Sequence, residues 1–251
     1  MLKIKKIIKN IFIILLISQM VISSYFFYKN IKEDDMQKEI FEEIQYISQN
    51  NQEDNIRENT NTVQDYINIQ KLYEINNDII AWIKIENTNI DYPIMQTKNN
   101  PNYYLRKNFY KQYSYMGTPY LSENCDINIS NNLIVYGHHI TGSKMFGELE
   151  KYRKKSFYEN HKTIKLITLE ESREYEIISV FTTIVDTGFK YYNFINAIDE
   201  KEFDTFVRKC KELSFYNCEN DNLYSNKLLT LSTCDYSSEN ARLVIIAIQK
   251  E

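Results

Sequence analysis

Two runs near the C-terminus, Leu228-Leu229-Thr230-Leu231-Ser232-Thr233-Cys234 and Arg242-Leu243-Val244-Ile245-Ile246-Ala247-Ile248, flank the polar loop Asp235 to Asn240. Aliphatic and β-branched residues in runs of this length, bounded by polar turns, read as strands. The first begins about Lys227 and turns polar toward Cys234. Working outward, Ile79 to Ile85, Ile90 to Met95, Asn132 to Tyr136, Thr163 to Leu169 and Glu174 to Ile184 have the same character, with Glu86-Asn87-Thr88-Asn89 as hairpin-like punctuation between the first two. Seven or eight such strands predict a mainly β domain, a barrel or a sandwich. Two helices interrupt them. One is expected over Met145 to Phe157. The other starts at Asp199, where Asp199 and Glu202 have capping-box spacing and Phe203, Phe206, Val207, Cys210 and Leu213 fall on one face. Val63, Tyr66, Ile67 and Ile69 to Tyr73 suggest a short helix leading into the turn Asn76-Asn77-Asp78.

The 251 residues carry 30 Lys+Arg against 34 Asp+Glu, a net charge of −4, which excludes a polybasic nucleic-acid binder. With 43% hydrophobic and 25% charged residues, wholesale disorder is excluded as well. The 5 Gly and 3 Pro leave no room for Gly-rich phosphate loops, and neither a GxGxxG nor a Walker-type motif occurs. The 21 Tyr and 13 Phe suit strands and peptide-binding surfaces alike and decide nothing alone.

Lys3, Lys5, Lys6 and Lys9 precede 19 residues, Asn10 to Tyr28, without a charge. At 1.5 Å per residue such a helix spans roughly the 30 Å hydrocarbon core of a bilayer. Ile22-Ser23-Ser24 is a poor cleavage site, so an uncleaved anchor is expected, with residues 1–9 in the cytosol by the positive-inside rule and the rest outside. Residues 29–62 read as an extracellular stalk. Within it Met36, Ile40, Ile44 and Ile47 suit an amphipathic helix, and Asn50 to Thr62, with one apolar residue in thirteen, suits a linker. The folded domain is expected over residues 63–251.

Specialised side chains are scarce: His138, His139 and His161, and Cys125, Cys210, Cys218 and Cys234. Outside the membrane two disulfides are permitted, and Cys210 and Cys218 are near enough in sequence to pair, although Cys210 on its apolar helix face equally suits a buried small hydrophobe. No CxxC or HxxxH unit points to zinc. Cys234 differs in standing where a strand meets a loop, with Arg242 opening the next strand, and a nearby guanidinium can stabilise a thiolate or an oxyanion. His138 and His139 stand in the same setting, at the end of Asn132 to Tyr136. If the strands lie close in one barrel, a nucleophile, an acid/base and an oxyanion donor converge at one rim.

Thr230-Leu231-Ser232-Thr233-Cys234 followed by Arg242 resembles the TLxTC…R signature of sortases, and Tyr136-Gly137-His138 resembles their catalytic-histidine motif. The Tyr-Gly-His-His form, Ala81 to Ile85 through Tyr92 to Met95, and the helix near Asp199 to Phe215 are most similar to class B. The likeness runs from about Val63 to Lys250. No aromatic lid motif of class C precedes it.

The resemblance implies an eight-stranded β-barrel with inserted helices and an N-terminal helical segment, acting as a cysteine transpeptidase at the bacterial cell surface. By that likeness Cys234 attacks the carbonyl of a threonine in a C-terminal sorting motif of a secreted protein and forms a thioester. His138 acts as general acid and base, and Arg242 holds the oxyanion and the substrate backbone. A peptidoglycan precursor or cross-bridge amine resolves the thioester. His138 is preferred to His139 because the motif's glycine directly precedes it, and successive strand residues face opposite sides. The same likeness makes Ser232, Thr233, Tyr136, Asp235, Tyr192, Tyr104 and Leu105 candidates to line the peptide groove, with ordinary packing as the alternative for each. No metal or cofactor is expected, since thiol acyl transfer needs none. Two other functions remain open: a Cys/His peptidase or amidase using water, and a non-enzymatic anchored β module.

Overall fold

The structure is a computed structural model that describes residues 2–49, 69–218 and 226–250. It divides into two units, one up to Glu42 and one from Glu43 onward.

The first unit belongs to α1 (Leu2–Gln49), a single helix of 48 residues in which the expected span and the amphipathic stretch after it run together without a break. It is long and apolar enough to cross a membrane. The junction expected at Thr62 and Val63, the linker from Asn50, and Val63, Tyr66 and Ile67 lie outside the described residues.

The second unit opens with α2, over residues 69–75, and the turn at Asn77 and Asp78 that follows. The strands are β1 (Ile79–Lys84), β2 (Asp91–Met95), β3 (Tyr120–Leu121), β4 (Asn132–Tyr136), β5 (His139–Ile140), β6 (Lys144–Met145), β7 (Thr163–Thr168), β8 (Ser172–Ile184), β9 (Leu228–Asp235) and β10 (Ala241–Gln249). Eight of them close a barrel in the order β1-β2-β3-β4-β9-β10-β8-β7, while β5 and β6 form a separate ribbon. The expected hairpin joins β1 to β2, with the Ile85 N–H donating to the Ile90 carbonyl at 2.8 Å.

Two of the barrel pairings are parallel, β2 with β3 and β4 with β9. In the second, the Thr230 hydroxyl donates to Asn132 Oδ1 at 2.7 Å, and Asn132 Nδ2 donates to the Phe194 carbonyl at 2.8 Å, all without solvent contact at Asn132 and Thr230. A buried amide left unpaired costs about 1–3 kcal/mol, so this cross-strand bond resists any slip of register.

The helix α3 (Lys155–Asn160) and a 3-10 segment, Phe146–Arg153, replace the single helix expected over Met145 to Phe157. The break falls at Lys154, which is extended. Phe146, Leu149 and Tyr152 are fully buried at steps of three, the 3-10 repeat, and this spacing wins over the α period read from composition.

The last helix, α4 (Glu200–Leu213), buries Phe203, Phe206 and Cys210 on the expected face, with the Phe206 ring stacked on Phe194 at 3.9 Å. It covers β8, where the Ser179 hydroxyl donates to the Cys210 carbonyl at 2.5 Å. Asp199 caps it by accepting from the Glu202 N–H at 2.8 Å, and Glu202 reaches back to the Ile198 N–H at 2.7 Å. Asp199→Ala is expected to lower stability by about 1 kcal/mol, read from the urea midpoint at unchanged slope.

Candidate active site

Because β4 and β9 run parallel, their C-terminal ends leave the barrel at one rim, and β10, antiparallel to β9, begins there. Tyr136 pairs with Ser232 as the last rung between them, and His138 and Cys234 each follow two residues later, His138 beyond the end of β4. The junction continues past the ladder, with the Gly137 N–H donating to the Ser232 carbonyl at 3.1 Å and the Thr233 hydroxyl donating to the Gly137 carbonyl at 2.8 Å. On the other side of β9, Arg242 is the direct cross-strand partner of Cys234. Cys234 thus stands between the histidine's strand and the arginine's strand.

The histidine's turn is shaped by close approach. A Cβ on Gly137 would sit 2.5 Å from the Phe146 ring, and the Phe146 N–H donates to the His138 carbonyl at 2.9 Å. His138 Nε2 lies 2.9 Å from the Leu105 carbonyl oxygen. A carbonyl only accepts, so Nε2 carries the hydrogen and Nδ1 keeps the lone pair that can take a proton. Burial, and then the positive charge of Arg106, push the imidazole below its ordinary value of 6.5, against the opposing pull of the Leu105 bond. His138 is held neutral at physiological pH.

The four cysteines are free, which answers the pairing left open for Cys210 and Cys218. Burial pushes the Cys125 thiol up to about 11 and raises those of Cys210 and Cys218 as well. Cys125 donates to the Asn132 carbonyl at 3.3 Å inside the barrel wall. Cys234 alone of the four is half-buried rather than buried.

Ser232, Tyr136 and Tyr120 lie on the same face of the sheet as Cys234 and Arg242 by their register. The rings of Tyr120 and Tyr136 are 5.6 Å apart, and burial pushes the Tyr120 phenol up to about 12. The Tyr191 hydroxyl lies 2.6 Å from Ser232 Oγ. Burial raises the Tyr191 phenol, partly offset by that bond and by the charge of Arg242. These phenols stay protonated and remain hydrogen-bond donors at neutral pH. Arg242 itself donates through Nη1 to the Ala241 carbonyl at 2.9 Å.

On the other side of Cys234 a cavity of about 500 Å³ is lined by His139, Glu150, Arg153, Asp235, Tyr236 and Leu243 together with the thiol's residue. Asp235 is ion-paired with Arg153, and one of its oxygens accepts from the Ser237 N–H at 2.9 Å. Burial raises its carboxyl, but the Ser237 bonds and the Arg153 charge outweigh this and hold it below the usual carboxylate range. Among the described residues no three of the His, Cys, Asp and Glu side chains gather into a metal-binding group.

The chain matches the family model of the sortase domain over residues 83–250. The chain belongs to the sortase family. It is 31% identical to sortase B of Staphylococcus aureus over 71% of this chain and 72% of that protein, and 32% identical to sortase B of Listeria monocytogenes over 70% and 72%. Among solved structures, the Staphylococcus aureus sortase B–substrate complex superposes with a TM-score of 0.72 at 27% identity, covering 89% of this chain and 98% of that one. The protein is therefore a sortase of class B and a cysteine transpeptidase, and its closed eight-stranded barrel is the sortase fold.

Not every groove candidate in this sortase gathers at the thiol. Tyr104 is spent on a buried network, donating to Asp78 at 2.7 Å and accepting from Asn76 at 2.9 Å. The Tyr192 hydroxyl donates to the Val185 carbonyl at 3.0 Å. Leu105 contributes its carbonyl to His138, and Thr233 ties down the histidine's turn. The sequence reading passed over Tyr191, Tyr120 and Arg153. The Tyr191-Tyr192 doublet was visible, but which of the two turns inward is decided by the 3-10 turn Tyr191–Asn193.

The His138 imidazole is expected to titrate below 6.5 by NMR, and Arg106→Gln, removing a positive neighbour, to raise that midpoint. The stability tied to this group is fully present above 6.5 and is lost as pH falls through the lower folded midpoint. Gly117 has φ +63°, and a Cβ there would come within 2.5 Å of the Leu105 carbonyl oxygen that holds His138. Gly117→Ala should cost at least about 1 kcal/mol by urea unfolding.

Proposed function

We propose that this sortase is anchored by α1 and joins secreted proteins to the cell wall, cleaving a C-terminal sorting motif after threonine. The observation that supports the reading is the rim register, with Arg242 opposite Cys234 and the parallel Tyr136–Ser232 pair just before the segments that carry His138 and Cys234. Nδ1 of His138 takes the thiol proton as Sγ adds to the threonine carbonyl carbon. Arg242 neutralises the resulting oxyanion, a task suited to a planar guanidinium. Collapse breaks the C–N bond, the leaving nitrogen receives the proton from His138, and a thioester remains on Cys234. A peptidoglycan amine then adds to the thioester carbon and gives its proton to His138, and the sulfur leaves with that proton restored. Tyr136, Ser232 and Tyr191 offer hydroxyls along the peptide's path, while the Tyr120 hydroxyl donates to Asn102 Oδ1 at 2.7 Å. The four lysines before the apolar stretch argue for a cytoplasmic N-terminus and an extracellular barrel.

The test is intact-mass analysis of the full chain in detergent with a library of sorting-type pentapeptides, for wild type and Cys234→Ala. An adduct of the peptide's N-terminal portion, seen with wild type and absent from Cys234→Ala, and discharged onto triglycine as a peptide–amine product, is expected. Discharge to the free acid alone in the presence of the amine would favour hydrolysis, and an adduct that persists in Cys234→Ala would assign the nucleophile elsewhere.

A further inference from the structure

Cys234 is the penultimate residue of β9, next to the β9–β10 loop, and His138 lies just past the end of β4, immediately before the β5–β6 ribbon. Main-chain ladders end there, so something else must hold the thiol and the imidazole to one spacing. The next residue on each side is charged or titratable. Asp235, directly after Cys234, is ion-paired with Arg153, and its side chain is only 4% exposed. His139, directly after His138, donates from Nε2 to Glu150 Oε2 at 3.1 Å. The two ends meet on the 3-10 segment, where Arg153 Nε lies 3.8 Å from Glu150 Oε1. A fifth side chain joins them, since Tyr236 donates to the His139 carbonyl at 3.2 Å with its ring 4.9 Å from the imidazole. The 3-10 segment that carries Glu150 and Arg153 is itself anchored by the buried Phe146, Leu149 and Tyr152. Arg153 further rests its guanidinium over the Phe215 ring at 5.3 Å.

We propose that Arg153 is a positioning residue for acyl transfer, the centre of a charged strap Asp235–Arg153–Glu150–His139 that fixes the distance between Cys234 and His138. The proposal rests on the reading of those two residues as nucleophile and acid/base. Arg153 lies with Asp235 and Leu243 on the cavity side of β9, whereas Ser232, Tyr136 and Arg242 share the peptide-facing side by register. Loss of the strap therefore changes the chemical step and leaves peptide affinity alone. A misplacement of about 1 Å between reacting groups can cost roughly a hundredfold in rate, and a guanidinium that bridges two carboxylates has no equivalent in lysine's single ammonium.

The experiment is single-turnover acylation of the full chain in detergent by a pentapeptide that acylates wild type, with the rate constant expressed per acylatable Cys234 counted by mass. Arg153→Gln is expected to lower that rate constant by about ten- to a hundredfold, with half-saturation by peptide within about twofold of wild type. Arg153→Lys should recover part of the loss, and Arg153→Gln combined with Glu150→Gln should be no slower than Arg153→Gln alone. Counting sites removes the effect of a partly unfolded population, which a merely structural role would produce. A rate constant for Arg153→Gln within about twofold of wild type, or a loss confined to half-saturation, overturns the strap. If wild type and Cys234→Ala form the same adduct, the assignment of the nucleophile fails instead, and that result is separate from any behaviour of Arg153.

Discussion

The bond between Thr230 and Asn132 sets the register on which the site depends. Both residues are inaccessible to water, and the second hydrogen bond of Asn132, to the Phe194 carbonyl, completes the satisfaction of its amide. In a parallel pair of aliphatic strands, packing alone discriminates weakly between registers two residues apart, because the same face stays inward. A buried polar pair discriminates strongly, since the shifted arrangement strands both groups. With Asn132 opposite Leu228 and bonded diagonally to Thr230, Tyr136 falls opposite Ser232, the last pair before the segments that carry His138 and Cys234. The rim of β4 and β9 is thus set from a point near the opposite end of the strands.

Electrostatics at the rim divide into two regions with different logic. On the face shared by Ser232 and Tyr136, burial keeps the phenols of Tyr120 and Tyr191 protonated, against the Ser232 bond at Tyr191, and Arg242 is the positive charge set across from the thiol. On the cavity side, acids and bases neutralise one another, and Asp235 is held ionised by Arg153 and Ser237 despite its burial. His138 is kept neutral by desolvation and by Arg106. A neutral imidazole with its hydrogen directed to Leu105 keeps a lone pair on Nδ1.

Much of the barrel was legible because strand signals are local. Asn132–Tyr136 was read with its observed limits, and β1, β2, β7, β8 and β10 within two residues at each end, from aliphatic runs between polar turns. The two-residue strands β3, β5 and β6 carry no pattern long enough to read, and exist because neighbours supply their partners. The segment after Met145 misled because Leu149, Tyr152 and Phe157 fit an α-helix nearly as well as the 3-10 turns that the core selects. Of the candidate site, Cys234 and His138 stood out as scarce residue types where strands meet loops and Arg242 as the residue opening the next strand, and register sets Arg242 opposite Cys234. Arg153 had no such signal. Its partner Asp235 is 82 positions away, and a surface-like Lys-Tyr-Arg-Lys-Lys run gives no hint that one cation turns inward.

The burial of three of the four cysteines has a consequence for chemistry done on this protein as well as by it. Cys125, Cys210 and Cys218 are buried, each at most 6% exposed. An electrophile in solution therefore meets one thiol, and it meets it at the mouth of a cavity with a mixed-charge lining. The native chain is in effect a single-cysteine protein: a reporter, crosslinker or inhibitor warhead can be directed to position 234 without first removing the others.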